Sequence, residues 1–384
     1  MKIAFFTDSY EPQINGLVTS IDMFAKELKK NGHEVIIFAP YSPNYKDKEK
    51  NVRRIKSVEF LNYKEYRIGI PFRLMINPKI KDVDIIHIHS PFSVGLTGLL
   101  FSKQYGIPCV STFHTLYSEY SHYLIKNSMI SNSKKFKKLF SKVSWSYMRW
   151  FYNSSDIVIA PSRQIKNIIR KNGVKKQTEV IPTGTKFEPI TKSKKELRKK
   201  YGFGNEKIIL HVGRVSKEKD IEFIINSLKT GLSNNNWKMI ITSDGPNRSR
   251  LENLAKSLNL KSKIVFTGYL SDDALQEYYS LSDVFVMASK AETQGIVLLE
   301  AAKYGIPSVV LNSPVIADFV RQNKTGIVSS KSNFSHDIEK LLSDNNLRKK
   351  IIANCKNIKN IYSIEKCTHM LLDAYDKAIS SNSS

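Results

Sequence analysis

The sequence predicts an α/β protein of two Rossmann-like domains facing each other across a cleft, and three observations carry that expectation. The chain has 384 residues, 41% of them apolar, which is enough for two cores of ordinary size. Short β-branched runs closed by Gly, Pro, Ser or Asp recur with helix-compatible stretches between them, the pattern of β-α-β units and a parallel sheet. These runs fall into two series with a polar segment between them.

The first series is KIAFF from Lys2, EVIIFA from Glu34, DIIHIH from Asp84, CVSTFH from Cys109, DIVIAP from Asp156 and EVIPTG from Glu179. The second is KIILHVG from Lys207, KMIITS from Lys238, KIVFTG from Lys263, VFVMAS from Val284, SVVL from Ser308 and TGIVSS from Thr325. Between them, EPITKSKKELRKKYGFGNEK reads as a linker carrying one helix, with a boundary near Thr185. The domains are therefore placed at 1–185 and 186–384. The last stretch, SIEKCTHMLLDAYDKAI, spaces Met370, Leu371, Ala374 and Ile379 as a helix does, and such a terminal helix can pack back on the first domain. Ligands of open α/β sheets bind at the carboxyl ends of strands, so the expected site lies in the cleft.

Sixty Lys+Arg against 35 Asp+Glu leave a formal charge of +25, which implies an anionic partner: nucleic acid, an acidic membrane surface or a phosphorylated substrate. Residues 1–185 hold 29 basic and 14 acidic residues, leaving 31 and 21 for the rest, so the excess is shared. With that spread and no RNA-binding signature, nucleic acid is not expected as the partner. Cys109, Cys355 and Cys367 are odd in number and widely spaced, which argues against a disulfide framework or a zinc site and for a reducing, cytoplasmic compartment. The opening apolar run, Ile3 to Phe6, is too short for a signal peptide, and no later run approaches the ~18 residues of a membrane span.

The sharpest chemical signal is ETQGIVLLEAAKYGIP, which starts at Glu292 directly after VFVMAS. Glu292 falls in a loop, Gly295 lets backbone come close to a ligand, and the amides of Ile296 and Val297 open a helix whose positive end suits a phosphate. Glu300 follows one turn into that helix. In GRVSKEKD, after the strand IILHV, Arg214 and Lys219 supply two cations able to hold a diphosphate and to stabilise the charge that builds on it. With both in place no metal is required. His87 and His89 alternate in DIIHIHS on one strand face, where burial is expected rather than metal ligation.

Glu-x7-Glu in ETQGIVLLE, GRVSKEKD and the N-terminal DSYEPQINGLVTSI together resemble the large retaining family of GT-B glycosyltransferases over nearly the whole chain. The resemblance implies that Gly16 and Leu17 approach the donor phosphates, that Arg214 and Lys219 bind the diphosphate, and that Glu292 with the amides near Gly295 and Ile296 holds the sugar. It further implies that Glu300 holds the ribose and that His114, in STFHTLYSEYSHY, touches the donor hexose. A finer resemblance, carried by Asp8 to Ser20, His114 to Tyr123 and Glu292 to Gly295, is to bacterial diacylglycerol glucosyltransferases. It implies UDP-glucose as donor, a lipid acceptor, and Tyr117, Tyr120 and His122 on the acceptor side. Ser243 stands where the family usually has Gly, and Thr185 where it usually has Asp. A cell-wall, capsule or protein glycosyltransferase with another acceptor is the alternative within the family, and a nucleotide-sugar epimerase of related shape is a more distant one.

From Tyr117 to Asn153 seven basic residues stand against Glu119 alone, interleaved with aromatics. As a helix, Phe136, Leu139, Phe140 and Val143 form an apolar stripe flanked by Lys134, Lys135, Lys137 and Lys138, with Trp145 and Trp150 further along. Such a surface is expected to lie on the anionic inner face of the cell membrane.

Overall fold

The computed structural model describes residues 1–47, 49–59, 67–70, 82–116, 133–187 and 192–382. It divides into two units, Met1–Gly184 with Ile364–Ser384, and Thr185–Ser363.

The first unit runs β1 (Lys2–Phe6), α1 (Gly16–Lys30), β2 (Glu34–Pro40), β3 (Val52–Ile55), β4 (Ser57–Glu59), β5 (Arg67–Gly69), β6 (Ile85–Ile88), α2 (Ser93–Tyr105), β7 (Cys109–Thr112), α3 (Lys134–Asn153), β8 (Ile157–Ala160), α4 (Arg163–Lys171) and β9 (Thr178–Val180). Its sheet has the order β3-β2-β1-β6-β7-β8-β9 with every pairing parallel. The central strands are buried on both faces, which is why they read as unbroken apolar runs. β3, β4 and β5 lie outside the series read from sequence. They are three or four residues long and carry charges, β3 at the sheet edge and β4 with β5 in a separate antiparallel hairpin, so no apolar run marks them.

The second unit runs α5 (Lys194–Lys200), β10 (Lys207–His211), α6 (Ile221–Asn234), β11 (Trp237–Thr242), α7 (Arg248–Ser257), β12 (Ile264–Gly268), α8 (Asp272–Leu281), β13 (Val284–Met287), α9 (Ile296–Lys303), β14 (Ser308–Leu311), α10 (Pro314–Asn323), β15 (Gly326–Ser329), α11 (Phe334–Ser343), α12 (Asn345–Lys356) and α13 (Lys359–Tyr362). Its parallel sheet has the order β12-β11-β10-β13-β14-β15. A capping box, Ser193 with Glu196, starts the linker helix α5. Thr185 pairs with Ser363 and donates its N–H to the Tyr362 carbonyl at 2.9 Å, so the two ends of this unit meet.

The chain then returns to the first unit as α14 (Ile364–Asn382). Its buried residues, Ile364, Cys367, Leu371, Ala374, Tyr375 and Ala378, share one core with Val18, Ile21, Phe24 and Leu28 of α1. The division at 185 and 186 read from sequence is thereby amended at its far end: this stripe completes the face of α1, so the last helix belongs to the first unit.

Candidate functional site

In the second unit the strand order reverses at β10, whose neighbours are β11 and β13, and loops at such a reversal flank a ligand crevice. The two loops are tied together three times. Lys219, in a single 3-10 turn after β10, places Nζ 2.5 Å from Oε1 of Glu292 in the loop after β13. The Lys290 N–H donates to the Glu218 carbonyl at 3.1 Å, and Lys290 Nζ lies 2.5 Å from Asp220 Oδ2. Arg214 leaves the same strand end. Its burial lowers the guanidinium pKa from its ordinary value, with Glu218 and Tyr269 acting against that shift.

A third loop, after β11, supports the first from below. The Val215 N–H donates to the Asp244 carbonyl at 2.9 Å, and Asn247 N–H returns to the Val215 carbonyl at 3.0 Å. A Cβ at Gly245 would sit 2.4 Å from that carbonyl oxygen, so the approach admits only glycine. Ser243, the family departure noted above, has φ 75°. A left-handed backbone explains why glycine is usual there, and the serine side chain holds it under strain.

Gly295 takes the left-handed conformation (φ 77°) that turns the chain into α9, and Ile296 and Val297 open that helix. No acidic residue lies in its first turn, and a helix amino end favours an anion. Glu300, on the same helix, accepts a hydrogen bond from Tyr279 Oη at 2.8 Å. Burial raises the Glu300 pKa, and the tyrosine hydroxyl opposes the rise. The two glutamates of the Glu-x7-Glu motif therefore stand in different surroundings, Glu292 against a cation and Glu300 against a buried phenol.

The sequence reading passed over His211, the last residue of β10. Its Nδ1 lies 3.1 Å from the Val286 carbonyl, so that nitrogen carries the proton. Burial pushes its pKa down to about 4 and the ring is neutral. Its signal in the sequence was the polar end of KIILH, two residues before Gly213.

In the first unit, Asn15 caps α1: its Oδ1 accepts from the Leu17 and Val18 amides, both at 3.0 Å. The Leu17 amide is thus already engaged, while Gly16 is exposed at the helix start. Asp8, at the carboxyl end of β1, is buried and points at the start of α2. It accepts from Ser90 Oγ (2.8 Å), Ser93 Oγ (2.7 Å), and the amides of Val94 (2.7 Å) and Phe92 (3.2 Å). Burial raises its pKa and these donors counter the rise. A Cβ on Gly95 would stand 1.6 Å from the Ser90 carbonyl, so glycine is required for this tight approach.

His114 follows β7, and its Nε2 is 3.1 Å from Nδ1 of His89. Burial holds its pKa down to about 3, so it is a neutral ring. His87 and His89 are buried in the sheet. Tyr117, Tyr120 and His122 lie outside the described residues.

The amphipathic helix α3 begins at Lys134. Lys135, Lys137 and Lys138 are exposed, and the apolar side chains that face solvent are Leu139 (61% exposed), Val143 (59%) and Trp150 (52%). Trp145 does not join them: its ring stacks on buried Phe113 with centroids 5.9 Å apart, on the face that also buries Met148 and Tyr152. Positions 145, 148 and 152 share the inner face of a 3.6-residue helix, and 139, 143 and 150 the outer one, so of the two tryptophans expected at the membrane Trp150 faces outward and Trp145 inward. Phe136 and Phe140 are half-buried and stack on each other. Among the described residues no helix is long and apolar enough to cross a membrane.

Two family models cover most of the chain, one for glycosyltransferase family 4 over residues 14–188 and one for glycosyl transferases group 1 over residues 193–358. The chain belongs to the GT-B glycosyltransferases. Its relatives include the alpha-monoglucosyldiacylglycerol synthases of Streptococcus pneumoniae, 34% identical over 85% of this chain and 74% of that one, and of Acholeplasma laidlawii, 30% identical over 86% and 85%. Among solved structures, sucrose-phosphate synthase from Thermosynechococcus elongatus matches with a TM-score of 0.78 at 20% identity, covering 99% of each chain. Anabaena HepE in complex with UDP-glucose matches with a TM-score of 0.78 at 16% identity, over 98% of this chain and all of the other. These two likenesses concern the fold.

Proposed function

We propose that this hexosyltransferase is a retaining, metal-independent enzyme that moves glucose from UDP-glucose to diacylglycerol while attached to the inner face of the cell membrane. The observation that carries the reading is the pair of monoglucosyldiacylglycerol synthases, which match over most of their own length as well as this chain's. The exposed Lys135, Lys137 and Lys138 and the outward Leu139, Val143 and Trp150 of α3 support it physically. Each basic residue near an anionic leaflet contributes about 1 kcal/mol, so Lys134, Lys135, Lys137 and Lys138 together give reversible attachment, with Leu139, Val143 and Trp150 as the inserting stripe.

In this reading Arg214 and Lys219 hold the diphosphate and stabilise its charge as the glycosidic bond breaks. Glu292 and the amides from Gly295 to Val297 hold the sugar, Glu300 the ribose, Gly16 and Leu17 line the phosphates, and His114 meets the hexose. The acceptor hydroxyl enters beside the departing diphosphate, whose oxygen takes its proton, so configuration is retained. Protein catalysis is then positioning and charge stabilisation. Lys219 must exchange Glu292 for phosphate oxygens as donor binds, and the 2.5 Å pair keeps the lysine at the site until it does.

The test is incubation of purified protein with a panel of UDP-sugars and extracted lipids, followed by mass spectrometry. Glucosyl diacylglycerol formed from UDP-glucose, undiminished by chelator, is the expected product. Transfer to a polyol, protein or lipid-linked acceptor instead, or loss of activity on chelation, overturns the reading. Changing the four lysines to Gln is expected to abolish sedimentation with anionic liposomes while leaving UDP binding intact.

A further inference from the structure

The proposed chemistry uses only the last member of a row of three imidazoles in the first unit, His87 and His89 buried and His114 half-buried. His87 is satisfied at both nitrogens, Nδ1 lying 2.7 Å from Tyr375 Oη on α14 and Nε2 2.7 Å from Thr112 Oγ1. The His89 ring is fixed between its neighbours, with centroids 4.0 Å from His87 and 4.6 Å from Phe5. It stacks on His114 at 5.3 Å, and its Nδ1 shares one hydrogen bond with His114 Nε2.

Two neutral rings sharing one hydrogen bond have one donor between them, and the other face of His89 decides which. Its Nε2 is buried and has no hydrogen-bond partner among the described residues. Were His89 to accept at Nδ1, its proton would sit on Nε2 as a buried N–H with nothing to donate to. If it donates from Nδ1, Nε2 is left only as a bare lone pair. Orphaned buried N–H groups are rarer than under-used acceptors, because an unmade donor forfeits its full desolvation penalty. The second arrangement wins, and a neutral His114 that accepts at Nε2 keeps its own proton on Nδ1.

We propose that His89 is a positioning residue that holds His114 in the Nδ1–H tautomer, so that His114 meets a hydroxyl of the donor hexose as a hydrogen-bond donor. This rests on the reading of His114 as the hexose contact. The row also explains why a helix from the far end of the chain reaches into this sheet: Tyr375 anchors His87, His87 braces the His89 ring, and His89 sets His114.

The tautomer is read directly from a long-range proton–nitrogen correlation spectrum of protein labelled with 15N-histidine, with His114→Gln and His89→Asn identifying the two rings. His114 protonated at Nδ1 and bare at Nε2 is the expected result, and a proton on His114 Nε2 overturns the proposal. Kinetics supply a second reading. His89→Asn, whose amide can donate near the position of Nδ1, is expected to keep kcat within about threefold, and His89→Leu to lower it about tenfold or more with KM for the acceptor unchanged. Wild-type kcat in His89→Leu overturns the positioning role, and if that variant does not fold the wild-type spectrum decides. A wild-type protein that transfers no hexose would overturn the functional reading instead, while the His114 tautomer remains measurable.

Discussion

The two sheets reverse their strand order at equivalent places, between β1 and β6 in the first unit and between β10 and β13 in the second, yet they treat those places in opposite ways. In the first, the carboxylate of Asp8 leaves β1 and occupies the amino end of α2, taking three backbone amides and two serine hydroxyls. In the second, the corresponding helix α9 has no acidic residue in its first turn, and the charged groups beside it, Lys219 and Glu292, are paired with each other. A helix amino end favours an anion. One unit supplies it from its own chain; in the proposed reading the other leaves the role to the donor diphosphate, beside the paired charges of Lys219 and Glu292. Topology therefore marks both places as candidate sites, and what separates them is the carboxylate that reaches one helix start from elsewhere in the chain, Asp8 at α2.

That contrast breaks if Asp8 behaves as a ligand-binding residue. Asp8→Ala leaves several buried donors unsatisfied, at about 1–3 kcal/mol each, and is expected to destabilise the protein by roughly 3–5 kcal/mol in denaturant unfolding. A variant of wild-type stability with lost UDP binding would reverse the assignment. On the other side, Lys219→Ala and Arg214→Ala are each expected to lower turnover by about two to three orders of magnitude without unfolding the protein, the effect of losing one preorganised donor to developing charge. Wild-type turnover in both would remove the second switch point as the reaction site. The smallest effect concerns the loop that supports it. Ser243→Gly relieves a left-handed backbone and is expected to raise stability by about 0.5–1 kcal/mol, net of the extra freedom glycine gains in the unfolded chain. An unchanged or lowered melting temperature would show that the serine side chain compensates for its strain.

The sequence carried the site of the second unit further than that of the first. All six runs of the second series are strands, and Arg214, Lys219, Glu292 and Glu300 lie on the loops and helix start where glycine and strand ends had placed them, because a buried parallel strand leaves a continuous apolar signature and a loop beside it leaves a polar one. What escaped was pairing at a distance. Nothing local in FTDSY says that Asp8 reaches residues 90–95, and no spacing links Tyr375 to His87 across 288 positions. The inward packing of Trp145 was hidden for a related reason: aromatic and lysine residues surround the whole helix, so the pattern alone does not tell the stripe against Phe113 from the one in solvent.

The central claim is that the second unit's switch point holds a nucleotide sugar with divided labour between its two glutamates. Calorimetric titration of UDP into wild type, Glu300→Gln and Glu292→Gln tests it most directly. With Glu300 on the ribose and Glu292 on the sugar, Glu300→Gln weakens UDP binding about tenfold, the value of one hydrogen bond to a charged group, whereas Glu292→Gln binds UDP within about threefold of wild type and loses its effect on sugar transfer alone. Equal loss of UDP affinity in both variants, or none in Glu300→Gln, would contradict it.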